Sequence, residues 1–213
     1  MEVQILSRTL PVPKLAHIPR ILGFYLLFYE NKSNTPEEKM SRSRVFLVSD
    51  THFGHHGVCK FLREDGQKLR PWNHPDEMDE AMIDYWNETV SPNDKVYHLG
   101  DYVINRRSMG TASKLNGKKC LIKGNHDIFR LSEYVEHFYD IRAYHVLNNM
   151  ILSHVPLHES QLDRFGVNIH GHLHSNRVKN TFGNIDNRYQ CVCVEHTNFR
   201  PILLEEVMTW INS

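Results

Sequence analysis

From residue 45 onward, short unbroken apolar runs alternate with segments whose apolar positions recur at helical spacing. Residues 45–48 form a continuous apolar run, the pattern of a strand covered on both faces. Residues 95–99 and 119–123 predict further strands, and residues 144–153 read as a strand pair that Pro156 keeps from continuing. Residues 71–89 predict a turn followed by a helix. Pro75 stands near its first position, with Asp76 and Glu77 at the partly positive end. Met78, Ala81, Met82, Tyr85 and Trp86 fall on one face of that helix and belong to a core. Shorter helices are predicted over residues 108–115, 131–138 and 206–211, and strands over 190–195 and 202–204, with Cys191 and Cys193 on one face. The pattern is that of an α/β protein.

The first 43 residues break this rhythm. An apolar run at 21–29 follows Lys14 and Arg20, but it is too short to span a bilayer and no small-residue cleavage pattern follows it. The polar stretch after it suits a linker. Residues 1–43 are therefore expected to be a poorly packed or linker-like extension, with Met40 as an alternative start, and residues 44–213 a single domain.

Lysine plus arginine balance aspartate plus glutamate at 25 each, so the chain carries no general footprint for long nucleic acid or an anionic membrane. Any phosphate must be bound by a local site. The four cysteines contain no Cys-x-x-Cys pair, which predicts reduced, buried thiols and a cytoplasmic protein. Internal repeats and a Gly-x-x-x-x-Gly-Lys phosphate loop are both absent from the sequence.

Candidate chemistry collects where the apolar runs stop. Five segments end in Asp, His or Asn: the first at Asp50 and His52, the second at Asp101, the third at Asn125, His126 and Asp127, the fourth at His154, the fifth at His172 and His174. Imidazole nitrogen mixed with carboxylate oxygen, without cysteine, favours Mn, Fe, Zn, Co or Ni over a thiolate zinc site or an all-oxygen calcium loop. Seven ligands, Asp50, His52, Asp101, Asn125, His154, His172 and His174, exceed what one ion needs. If Asp101 is shared, two ions each receive four. Bringing the pKa of a water from about 15.7 to about 7 is worth roughly 12 kcal/mol. Positioned acid–base catalysis gives only about 3 to 5 kcal/mol. The metals would carry the larger share, leaving His126 as the acid that protonates the leaving oxygen, its ring held by Asp127. His55 reads equally as an ordinary loop histidine or a substrate contact. Arg63, Lys68 and Arg70 read as a solvated face or as a basic lip over the site. His158, His170 and His196 read as ordinary structural histidines.

The series Asp50-x-His52, Gly100-Asp101, Gly124-Asn125-His126-Asp127, His154 and Gly171-His172-x-His174 resembles the calcineurin-like metallophosphoesterase superfamily. The stretch Arg70 to Glu80, Arg-Pro followed five residues on by Glu-Met-Asp-Glu, is similar to its small single-domain bacterial and phage members. The resemblance implies a four-layer α/β/β/α sandwich of two mixed sheets flanked by helices. It implies two divalent metals, manganese foremost, one held by Asp50, His52, Asp101 and His174, the other by Asp101, Asn125, His154 and His172. It implies in-line attack of a metal-bridging hydroxide on a phosphomonoester or phosphodiester, with His126 aiding the transition state. His55, Asn125 and Arg70 are, beside it, the candidate substrate contacts. The substrate would be a small phosphoester or a nucleotide. The alternative is a catalytically silent, metal-bound scaffold for a protein or nucleotide partner.

Overall fold

The computed structural model describes residues 43–211; the expected extension, Ser43 apart, lies outside the described residues. Two mixed sheets and a set of helices make up these residues. In the first sheet β1 (Val45–Val48), β2 (Lys95–His98), β3 (Lys118–Ile122) and β4 (Asp140–Arg142) run parallel, and β9 (Ile202–Leu203) pairs antiparallel with β1, giving the order β4-β3-β2-β1-β9. The second sheet has the order β5-β6-β7-β8. There β5 (His145–Leu147) is antiparallel to β6 (Met150–Leu152), while β7 (Val167–His170) and β8 (Tyr189–Cys191) are parallel to it.

Parallel neighbours need crossovers, and α1 (Pro75–Thr89) supplies the one between β1 and β2. Side chains of β1 leave alternately to two sides. Phe46 and Val48 pack with Met78, Met82 and Trp86 of α1. Leu47 packs with Leu152 and Ile169 of the second sheet. Both faces of β1 are thus covered, as its unbroken apolar run requires. The β5–β6 hairpin turns on Asn148 and Asn149, both with positive φ, the conformation of a two-residue type I′ turn that asparagine tolerates well.

Several expectations change in detail. The helix expected over 131–138 stops early, as α2 (Leu131–Tyr134), and the chain then enters β4, which the sequence did not announce. The segment at 108–115 is a 3-10 helix, Arg106–Lys114, burying Met109 and Ala112 at the three-residue spacing that geometry aligns. The strand expected over 190–195 ends at Cys191. Cys193 instead bridges to Ser49, and the amide of Val194 donates to the Ser49 carbonyl, pulling the chain from the second sheet towards the end of β1. α3 (Leu162–Phe165) precedes β7, and α4 (Leu204–Ile211) follows β9. Among the described residues, no helix is long and apolar enough to cross a membrane.

Trp86 is the largest fully buried side chain, and its indole N–H donates to the Asn116 carbonyl at 3.0 Å. Trp86→Ala is expected to lower the unfolding free energy by about 3 to 5 kcal/mol in urea titrations. A loss under about 1 kcal/mol would mean that α1 does not anchor this side of the core.

Candidate metal centre

Each predicted ligand sits just past the carboxyl end of a strand: Asp50 and His52 after β1, Asp101 after β2, Asn125 after β3, His154 after β6, and His172 and His174 after β7. Ligands of open α/β sheets bind at such strand ends. The donor atoms of Asp50, His52 and His174 lie within 4.8 Å of one another, and so do those of Asp101, His154 and His172. Two His/Asp clusters able to hold metal ions therefore stand side by side. Asn125 joins the second, its Oδ1 2.9 Å from His154 Nε2.

The two carboxylates divide their oxygens. Asp50 Oδ2 accepts the Ser49 hydroxyl (2.6 Å), the His172 amide (2.8 Å) and the Cys193 thiol (3.2 Å). Its Oδ1 is buried without a hydrogen-bond partner and faces His52 Nε2 at 3.6 Å and His174 Nε2 at 3.9 Å. Asp101 Oδ1 accepts the His126 amide at 2.8 Å. Its Oδ2 lies 3.7 Å from His52 Nε2 and 3.4 Å from His154 Nε2, between the two clusters. A bare buried carboxylate oxygen facing imidazole nitrogens is expensive without a cation, so the donor set fits a pair of divalent ions.

Two of the candidate histidines have their outer nitrogens fixed as metal-ligand histidines require, while His52 Nδ1 is buried without a partner. His154 Nδ1 donates to the Leu99 carbonyl at 2.8 Å and His174 Nδ1 to Glu195 Oε1 at 3.1 Å, so each points Nε2 inward. Burial raises the Asp50 carboxyl, but His52, His154 and His174 outweigh it and hold it ionised. For His52 burial dominates and keeps the ring neutral. Burial also lowers His154, yet the Asp101 hydrogen bond and the Asp50 and Asp101 charges prevail and lift it to about 9.

Backbone geometry concentrates at the same place. Nine described non-glycine residues have left-handed φ, and five are predicted ligands: Asp50, His52, Asp101, His172 and His174. Such conformations are costly and cluster where a surrounding structure enforces them. The loops after β2 and β3 also press together. A Cβ on Gly100, whose φ is +94°, would stand 2.5 Å from the Gly124 amide nitrogen, and one on Gly124 would collide with the Asp101 carboxylate.

Two expectations need correction. Arg70 is not a lip over the site. Its side chain is fully buried, donating to Glu195 (2.9 Å) and to the carbonyls of Thr51 (2.7 Å) and Asp50 (2.6 Å), so it fixes the loop after β1 from behind. Asp127 does not hold the His126 ring. Its oxygens accept the amides of Asp101 (2.8 Å), Tyr102 (3.0 Å) and Gly124 (2.8 Å), tying the two ligand loops together. Burial outweighs these bonds and raises its carboxyl. His126 itself is exposed, its ring 5.5 Å from that of His52. His55 is half-buried, 5.6 Å from His52, and burial with the nearby cationic groups lowers it to about 4. His170 is a core histidine, bonded through Nδ1 to the Gly171 carbonyl. The sequence reading missed Glu195, although it follows an apolar stretch as the other candidates do.

No family model matches the chain. An uncharacterised protein of Methanocaldococcus jannaschii is 32% identical over 181 residues, covering 81% of this chain and 93% of that protein. The crystal structure of a protein of unknown function from Aquifex aeolicus shares the fold, with a TM-score of 0.55 and 23% identity over 79% of this chain and 99% of that one. A structure described as a novel archaeal phosphodiesterase is a much looser match, at a TM-score of 0.39 and 17% identity over 70% and 82% of the two chains, and carries no weight.

Metal must displace a proton from His154 near neutrality, because that ring holds one up to about pH 9 in the metal-free protein. Loading at pH 7 is expected to release the His154 proton together with what His174, raised against its burial by Glu195 and Asp50, still holds. Affinity is expected to rise by at least about tenfold per pH unit towards pH 9, both read by calorimetry in buffers of different ionisation heat. Metal-free stability should run the other way. The raised value makes His154's contribution full below its ordinary 6.5 and lost as pH passes about 9. Glu195→Gln, which weakens the hold on His174, is expected to reduce metal affinity about tenfold to a hundredfold. Unchanged affinity would remove Glu195 from the centre.

Proposed function

The chain belongs to the family of the uncharacterised Methanocaldococcus jannaschii protein, and we propose that it is a dinuclear-metal phosphoesterase of the calcineurin-like metallophosphoesterase type. The observation that carries this reading is Asp101 Oδ2, set between His52 and His154 so that one carboxylate oxygen is offered to both donor clusters. Asp50, His52, Asp101 and His174 would hold one ion, and Asp101, Asn125, His154 and His172 the other. On the same reading the two sheets are the middle layers of an α/β/β/α sandwich. Divalent ions so held, with manganese the first choice for this nitrogen and oxygen donor set, supply positive charge for a phosphoryl group and an acidified water.

The chain's own residues supply orientation and protons. His126 stands at the exposed edge of the centre, where its ring can give a proton to the departing ester oxygen. Its backbone is pinned by the bond from its amide to Asp101, so the proton donor and the shared ligand keep a fixed spacing. Asn125 turns its oxygen towards His154 and leaves its amide nitrogen for a phosphate oxygen. His55, neutral at physiological pH, can hydrogen-bond a substrate without adding charge. Asp127 acts as a positioning residue for the loops that carry Asp101, Asn125 and His126.

The test is hydrolysis of p-nitrophenyl phosphate and bis(p-nitrophenyl) phosphate by the full chain with manganese or nickel. His126→Ala is expected to lower kcat about a hundredfold to ten-thousandfold with metal content unchanged by elemental analysis. If neither ester is cleaved with any of Mn, Ni, Co, Zn or Fe, the scaffold reading takes its place.

A further inference from the structure

Among the described residues, two hollows border the centre at different ligands. The larger, of about 630 Å³, is entered past Asn125 and His154 and walled by Tyr144, Leu157 and Phe165. The smaller, of about 360 Å³, is entered past His172 and His174 and walled by Phe61 and Leu62, with Arg63 beside them. The two share no lining residue. From this arrangement we infer that the substrate is a small phosphodiester, with an aromatic, nucleoside-sized group in the larger hollow and a smaller group in the other. The inference rests on the phosphoesterase reading and decides what that reading leaves open, between monoester and diester.

A phosphomonoester has one organic arm and can fill one hollow only. A diester has two, and each of the two hollows borders a different pair of candidate ligands, Asn125 and His154 for one, His172 and His174 for the other. The larger hollow also has the chemistry of an aromatic site. Tyr144 keeps 59% of its surface exposed on its wall, a large aromatic face left for a ligand to cover. The Arg164 guanidinium lies 5.2 Å over the Phe165 ring, placing positive charge at the edge of an apolar surface. Such walls suit a planar base or aryl group better than a bare sugar phosphate. Towards the smaller hollow, aromatic contact is continuous from the centre: His52 to His55 at 5.6 Å, then His55 to the edge of Phe61 at 5.8 Å. Arg63 is also part of that lining, its Nε buried without a hydrogen-bond partner. A long polynucleotide would call for an extended basic track, which a balanced charge of 25 against 25 does not provide.

In the reaction the hydroxyl of water joins phosphorus, one P–O ester bond breaks, and the departing oxygen takes up a proton, giving a phosphomonoester and an alcohol. With the manganese-loaded full chain, kcat/KM for bis(p-nitrophenyl) phosphate is expected to exceed that for p-nitrophenyl phosphate by about tenfold or more. Tyr144→Ala should weaken both esters, and Phe61→Ala should lower the diester-to-monoester ratio about fivefold, as expected for a lost aromatic contact. Calorimetric binding of diphenyl phosphorothioate, a diester slow to turn over, gives a readout independent of catalysis, and its Kd should rise about fivefold in each variant. A preference for the monoester, or a ratio and Kd that neither variant moves, overturns the diester inference while leaving the phosphoesterase intact. Cleavage of neither ester removes both.

Discussion

Asp50 and Asp101 are carboxylates stripped of water, and everything around them follows from that. Each is almost wholly buried, and an ionised carboxylate in such surroundings persists only with opposite charge at hand. The imidazoles of His154 and His174 provide part of that compensation in the metal-free chain, with a polar contact from His52 to Asp50 beside them. The arrangement is better suited to cations than to protons. Asp50 Oδ1 is left bare, and His52 is held neutral beside two carboxylates. A purely salt-bridged cluster would leave neither a bare carboxylate oxygen nor a neutral imidazole between two carboxylates. The chain instead keeps lone pairs aimed at common points.

Holding those lone pairs in place falls to residues that touch no candidate metal position. Glu195 fixes the ring of His174 and is itself gripped by Arg70, whose charge together with that ring overcomes burial and keeps the carboxylate ionised. Arg70 also ties down the carbonyls flanking the first ligand segment. Asp127 does the same for the second and third segments, gathering three amides on one carboxylate. Two buried ionic groups thus brace loops that come from three different strands. Such outer partners set the orientation of the ligands, and losing one typically costs about tenfold to a hundredfold in metal affinity.

Much of this was legible in the chain. Apolar runs ending in Asp, Asn or His located the strand ends, because a buried parallel strand must be apolar and the loop at its carboxyl end is where polar chemistry can begin. The helical stripe through Met78, Met82 and Trp86 was legible for the same reason, and all three are buried. What escaped were pairings between distant segments. Nothing local to Arg70 says that Glu195, 125 positions away, will take its charge. Asp127 stands next to His126 in sequence, which suggested a contact that the backbone turns away from. Short β4 gave no pattern because its three residues are only partly buried. Glu195 could have been found, since a carboxylate closing an apolar stretch was the signal used elsewhere.

The left-handed backbone at Asp50, His52, Asp101, His172 and His174 bears on which residues these positions can accept. Asp, Asn and His visit that conformation more readily than most, and β-branched side chains resist it. A change from Asp50 to Val or Thr would therefore strain the main chain even before the missing donor was felt. The vocabulary open at these five places is short, and it consists largely of residues that also bind metals. Main-chain shape and coordination chemistry select the same few letters, so drift away from one is resisted by the other.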